Sequence, residues 1–83
     1  MQVTLKLYAQ LGQYLPPGAE RNIIEIEVAE GTSIWQVIDA YNVPRAMCHL
    51  VLVNGHFKAP AIRDEVKLQP GDALAVWPPV AGG

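Results

Sequence analysis

Ile24-Glu25-Ile26-Glu27-Val28-Ala29-Glu30-Gly31-Thr32-Ser33-Ile34-Trp35-Gln36-Val37-Ile38-Asp39-Ala40-Tyr41 is the stretch in which the hydrophobic period changes from that of a strand to that of a helix. Ile24, Ile26 and Val28 alternate with Glu25 and Glu27, which predicts a strand with one buried and one solvated face. Glu30-Gly31 then turns the chain. Thr32 or Ser33 supplies an oxygen that can accept from the first free N–H groups of a helix. Ile34, Val37, Ile38 and Tyr41 recur at helical spacing and form one apolar stripe. Trp35 lies beside that stripe, and the period leaves its burial open. Asn42-Val43-Pro44 ends the helix, because Pro44 restricts the residue before it and lacks a donor.

Working outward, residues Val3 to Ala9 alternate again, with Val3, Leu5 and Leu7 on one side and Thr4, Lys6 and Tyr8 on the other. Gln10 to Leu15 reads as a short helical turn closed by Pro16-Pro17-Gly18. The first two strands then form an antiparallel hairpin with a short link. Downstream, Leu50-Val51-Leu52-Val53 is wholly apolar and reads as a buried strand that leaves through the tight turn Asn54-Gly55. Ala59 to Leu68 is irregular: Pro60 argues against a central strand, and Arg63-Asp64-Glu65 reads as an exposed turn. Pro70-Gly71-Asp72 turns into a last strand, Ala73 to Trp77. The order strand, strand, helix, strand, strand predicts an α+β fold of the β-grasp, ubiquitin-like type. Its mixed sheet of four to five strands packs on one main helix through a right-handed crossover. The domain is expected to span 1–77, leaving 78–83 as a flexible tail.

Composition narrows the function. A chain of 83 residues, 51% hydrophobic and 17% charged, fills one core and leaves little for an enclosed substrate cavity. The net charge of −2, with Lys and Arg scattered singly, argues against nucleic acid. No apolar run approaches the roughly 20 residues that span a bilayer, and Met1 to Thr4 lacks a signal-peptide pattern. The single cysteine, Cys48, fits a reducing cytoplasm. Cys48 and His49 adjoin with His56 near in sequence, but one cysteine with no carboxylate motif nearby predicts neither a metal site nor a nucleophile–base pair. Cys48 reads as a structural thiol.

The informative residues follow Trp77: Pro78-Pro79-Val80-Ala81-Gly82-Gly83. Pro78 and Pro79 stop the sheet ladder and favour an extended, stiff stem. Six extended residues reach roughly 20 Å. A carboxylate at Gly83, ionised at neutral pH, can attack the α-phosphate of ATP. The acyl-adenylate that results is a mixed anhydride open to a sulfur nucleophile. Gly82 and Gly83 can thread a narrow channel without a Cβ clash, and a stiff stem lowers the cost of ordering them. This chemistry needs an enzyme elsewhere, so the chain reads as a protein substrate rather than a catalyst.

On three blocks, Leu52-Val53-Asn54-Gly55, Leu68-Gln69-Pro70-Gly71-Asp72 and Trp77 to Gly83, the sequence resembles the MoaD/ThiS family of sulfur carriers. The resemblance implies that Gly83 is adenylated by a ubiquitin-activating-type enzyme (MoeB/ThiF-like) using ATP and Mg, then converted to a thiocarboxylate by a sulfur-donating enzyme. The carrier itself would hold no cofactor. The tail, with Pro78, Pro79, Val80, Ala81 and Gly82 gripped by the partner, is most similar to the small, non-catalytic subunit of molybdopterin synthase. Residues 33–49 look more like the thiamine-pathway carriers, whose partner is a thiazole synthase. A ubiquitin-like modifier and a β-grasp binding module with an idle tail are the remaining readings. Strand parity turns Tyr8 and Trp77 outward, and Phe57 follows the Asn54-Gly55 turn. The resemblance implies that these three aromatics form the apolar surface facing the synthase large subunit.

Overall fold

The computed structural model describes residues 1–80. Five strands, β1 (Gln2–Leu7), β2 (Ile23–Glu27), β3 (Leu50–Val53), β4 (His56–Phe57) and β5 (Ala73–Trp77), form one sheet in the order β2-β1-β5-β3-β4. β1 pairs antiparallel with β2 and parallel with β5, while β3 is antiparallel to both β5 and β4. A parallel pair cannot be joined by a hairpin, so the chain must cross the sheet between β1 and β5. Helix α1 (Ile34–Ala40) lies in that crossover.

One face of the sheet and one side of α1 make the core. Val3, Leu5 and Leu7 from β1 meet Leu74 and Val76 from β5 and Val51 and Val53 from β3, all buried. Ile34, Val37 and Ile38 cover them from α1, with Leu11, Val43 and Leu68 closing the ends. A helix of 7 residues is marginal in isolation, so packing and capping must hold it. Ser33, not Thr32, is the cap. Its Oγ accepts from the Gln36 N–H at 3.2 Å, while the Ser33 N–H donates to Gln36 Oε1 at 2.8 Å.

Three local expectations change. The first two strands do pair antiparallel, but the link is long and carries a 3₁₀ helix (Ala9–Tyr14) whose Leu11 enters the core. Leu50 to Val53 is not buried throughout: Val51 and Val53 face α1, whereas Leu50 is 36% exposed and Leu52 is half-buried on the other side. The ladder forces this alternation whatever the side-chain polarity. Arg63 is the largest departure. Expected in an exposed turn, it is 1% exposed, because its guanidinium turns inward to donate to three backbone carbonyls.

Candidate functional site: an apolar sheet face leading to the tail

The ladder places apolar residues on the face turned away from α1. The pairs Leu50↔Trp77, Leu52↔Ala75 and Leu52↔Phe57 put Leu50, Leu52, Phe57, Ala75 and Trp77 on that one face. Phe57 is 55% exposed. Ala75 is buried between its larger neighbours, so the middle of the face is low and its sides are raised. Tyr8, the residue after β1, joins them: its N–H donates to Val76 O at 3.0 Å, and its ring stacks on Trp77 at 4.4 Å with the planes 11° apart. Tyr8 and Trp77 are thus brought together, and Phe57 sits beyond β3 on the same face. Parity had turned Tyr8 and Trp77 outward, and the structure does so. Leu50 and Leu52 were missed, because a run apolar on both faces carries no parity signal.

This face runs directly into the stem. The His49 N–H donates to Trp77 O at 3.0 Å, fixing the last residue of β5. Pro78 is buried, and Pro79 and Val80 are exposed. A groove of about 400 Å³ flanks the stem, lined by Ala9, His49, Leu50, Trp77, Pro79 and Val80. Ala81, Gly82 and Gly83 lie outside the described residues.

Two further constellations hold this site without belonging to it. The first joins the motif turns. Asn54 and Gly55 have φ of 51° and 83°, the pattern of a type I′ hairpin turn. Asn54 Nδ2 donates to Asp72 Oδ1 at 2.9 Å, and Asn54 Oδ1 accepts from the Ala73 N–H at 2.9 Å. Asp72 Oδ2 accepts from the Gln69 N–H at 2.8 Å. The β3–β4 turn is therefore stapled to the start of β5, at the opposite end of that strand from the stem. Two of the three sequence blocks that carry the resemblance act here by turn chemistry.

The second is the Arg63 clamp. Its Nε donates to Lys58 O at 2.8 Å, Nη1 to Cys48 O at 2.9 Å and Nη2 to His49 O at 3.4 Å. The guanidinium lies 5.2 Å from the Trp35 ring, and Arg45 lies over the same ring at 4.7 Å. Trp35, left open by the helical period, is buried, with both cations over its ring. Burial pulls the Arg63 guanidinium below its ordinary value. Arg45 also forms a two-pronged pair with Asp39, at 2.7 and 3.1 Å, whose hydrogen bond holds the Asp39 carboxyl below the usual range.

Cys48 is 4% exposed, and desolvation pushes its thiol up, so it is a poor nucleophile. His49 and His56 are exposed. Among the described residues no group of three His, Cys, Asp or Glu side chains is placed to hold a metal ion. No helix among them is long and apolar enough to cross a membrane. Glu25 and Glu27 stand exposed on β2, as a solvated strand face requires.

The family described as Mut7-C ubiquitin matches residues 1–82. The fold is similar to that of SAMP1 from Haloferax volcanii, at 22% identity and a TM-score of 0.67, covering 100% of each chain. It is also similar to a proposed molybdopterin converting factor subunit 1 from Pyrococcus furiosus: 24% identity, TM-score 0.65, 95% of this chain and 98% of that one. A third likeness is to a complex of subunits 1 and 2 of the molybdopterin-converting factor from Helicobacter pylori. There the identity is 19% and the TM-score 0.60, over 100% of each chain. No curated protein matches the chain.

Proposed function

Because this chain belongs to the Mut7-C ubiquitin family, we propose that it is a sulfur carrier whose reactive group is a carboxylate at Gly83. In this reading an adenylating enzyme of the ubiquitin-activating type binds ATP and Mg. A Gly83 oxygen attacks the α-phosphorus and pyrophosphate leaves. Sulfur at the sulfide level, delivered by a sulfur-donating enzyme, then adds to the carbonyl carbon and displaces AMP, leaving a thiocarboxylate. The sulfur passes to an intermediate of molybdopterin biosynthesis in the cytoplasm, on the large subunit of a synthase. Ala81 and Gly82 thread the partner's channel, and the chain contributes no catalytic group of its own.

The observation that carries the reading is the continuity of the apolar face with the stem. Tyr8, Trp77, Leu50, Leu52 and Phe57 form one surface beside which Pro78, Pro79 and Val80 leave the sheet. An exposed apolar face is costly to leave in water and fits a docking role. Its position lets one partner hold the domain and receive the tail together. The Helicobacter pylori complex supports a large subunit as the second partner.

The test is intact mass after incubation with a cognate adenylating enzyme, ATP and a sulfur donor. Exchange of one oxygen for one sulfur, absent when Gly83 is removed, is the expected result. Heavier conjugates to lysines of other proteins would replace the carrier reading with a modifier. An unchanged mass with every adenylating enzyme of the source cell would overturn both.

A further inference from the structure

The sheet has an open edge two strands away from β5. β2 is its outermost strand and, among the described residues, pairs only with β1. The Leu7 N–H donates to Asn22 O at 3.0 Å and the Val28 N–H to Met1 O at 2.9 Å. With the register Leu5↔Ile24 and Val3↔Ile26, the even-numbered residues therefore address β1. Antiparallel alternation turns the N–H and C=O groups of Glu25 and Glu27 outward. Neighbouring backbone is occupied: Ile23 and Glu20 exchange hydrogen bonds at 2.9 and 3.0 Å, and Ala29 O accepts from the Thr32 N–H and hydroxyl. The free segment is short and bounded at both ends.

Beside it, between β2 and α1, runs a groove of about 520 Å³, lined by Val28, Thr32, Val37, Ala40 and Tyr41 as well as by Glu27. We propose that this edge and groove receive an extended segment of another protein as a sixth strand, with the pattern basic–apolar–basic. Partner residues paired with Glu25 and Glu27 would project onto the outer face beside those carboxylates, where Lys or Arg makes a favourable cross-strand pair. The residue between them would project to the other side, into the groove over Val28 and Val37. One register satisfies backbone, charge and apolar contact together.

The same charges reject a second copy of this chain. Antiparallel pairing of two β2 edges sets Glu25 and Glu27 against the glutamates of the other copy, a standard device against self-association. Glu27 Oε2 already meets the Met1 amino group at 2.9 Å, while Glu25 has no ion pair among the described residues. Glu25 is therefore the stronger determinant. The segment would bind without covering Tyr8, Phe57 or Trp77, so the inference stands apart from the carrier reading.

The probe is a capped Lys-Val-Lys-Val-Lys peptide, with capped Glu-Val-Glu-Val-Glu as control, titrated into the full chain and followed by backbone amide NMR shifts. Shifts saturating below ~1 mM are expected at Glu25, Glu27, Val37, Ala40 and Tyr41, with none at Tyr8, Phe57 or Trp77. The acidic peptide should bind at least ~10-fold more weakly. The double variant Glu25→Lys/Glu27→Lys should reverse that preference, which an unfolded variant could not do. Equal binding of both peptides, shifts centred on the Tyr8–Trp77 face, or no saturation by that concentration would overturn the proposal.

Discussion

Replacing Arg63 by Met removes the clamp while keeping an unbranched, buried side chain. Hydrogen bonds from a charged donor contribute about 1.5–3 kcal/mol each, so the two short ones, to Lys58 O and Cys48 O, are worth about 3–6. The stack on Trp35 adds about 1 kcal/mol. Against this, dehydrating the guanidinium costs several kcal/mol, which Met avoids. The carbonyls left without donors tip the balance, and a net loss of about 2–4 kcal/mol is expected. A domain of this size has a total stability of roughly 4–12 kcal/mol. The midpoint of thermal unfolding should therefore fall by roughly 10–25 °C. Arg63→Lys keeps the charge, but a single ammonium cannot fork to three carbonyls, so it should recover less than half of the loss. Urea and thermal unfolding followed by circular dichroism measure both variants. Amide exchange should quicken at His49, whose N–H meets Trp77 O. A Met variant within about 0.5 kcal/mol of the parent would refute the reasoning.

Asn54→Ala removes both side-chain bonds of the turn staple and leaves alanine at a φ of 51°, so urea unfolding should report a loss of about 2–3 kcal/mol. Phe57→Ala should cost under about 1 kcal/mol, because the ring is 55% exposed, yet weaken binding to the adenylating enzyme at least ~10-fold in a calorimetric titration. For Cys48 the folded thiol pKa is raised, so above pH ~8.5 the unfolded chain loses a proton that the folded chain keeps. The stability difference between the parent and Cys48→Ala should therefore shrink as pH rises through that value, with urea midpoints at each pH as the measurement.

The fold was legible wherever one face of an element is polar. The alternation of Val3 to Leu7 and Ile24 to Val28, the stripe from Ile34 to Tyr41 and the glycine turns at Gly55 and Gly71 locate four strands and the helix within a residue or two. Leu50 and Leu52 were illegible because an apolar run does not say which residues face out. Arg63 was misread for a deeper reason. Charge makes exposure the natural expectation, and the carbonyls that overturn it come from residues 48, 49 and 58, which nothing in the local sequence couples to it. Trp35 follows from the same gap, since its burial depends on the two arginines that cover it. The outward parity of Tyr8 and Trp77 was readable from their strands, but their mutual stacking follows from the parallel pairing of β1 with β5, a long-range fact.

The account turns on Gly83 presenting an unblocked carboxylate. One extra alanine after Gly83 leaves the apolar face and the core untouched but moves the carboxylate by a residue and adds a Cβ to the tail. AMP release by the cognate adenylating enzyme, measured for the parent and the extended chain, should be robust for the first and absent for the second, with superimposable unfolding curves. Release at the parent rate from a chain whose intact mass still includes the alanine would contradict the claim.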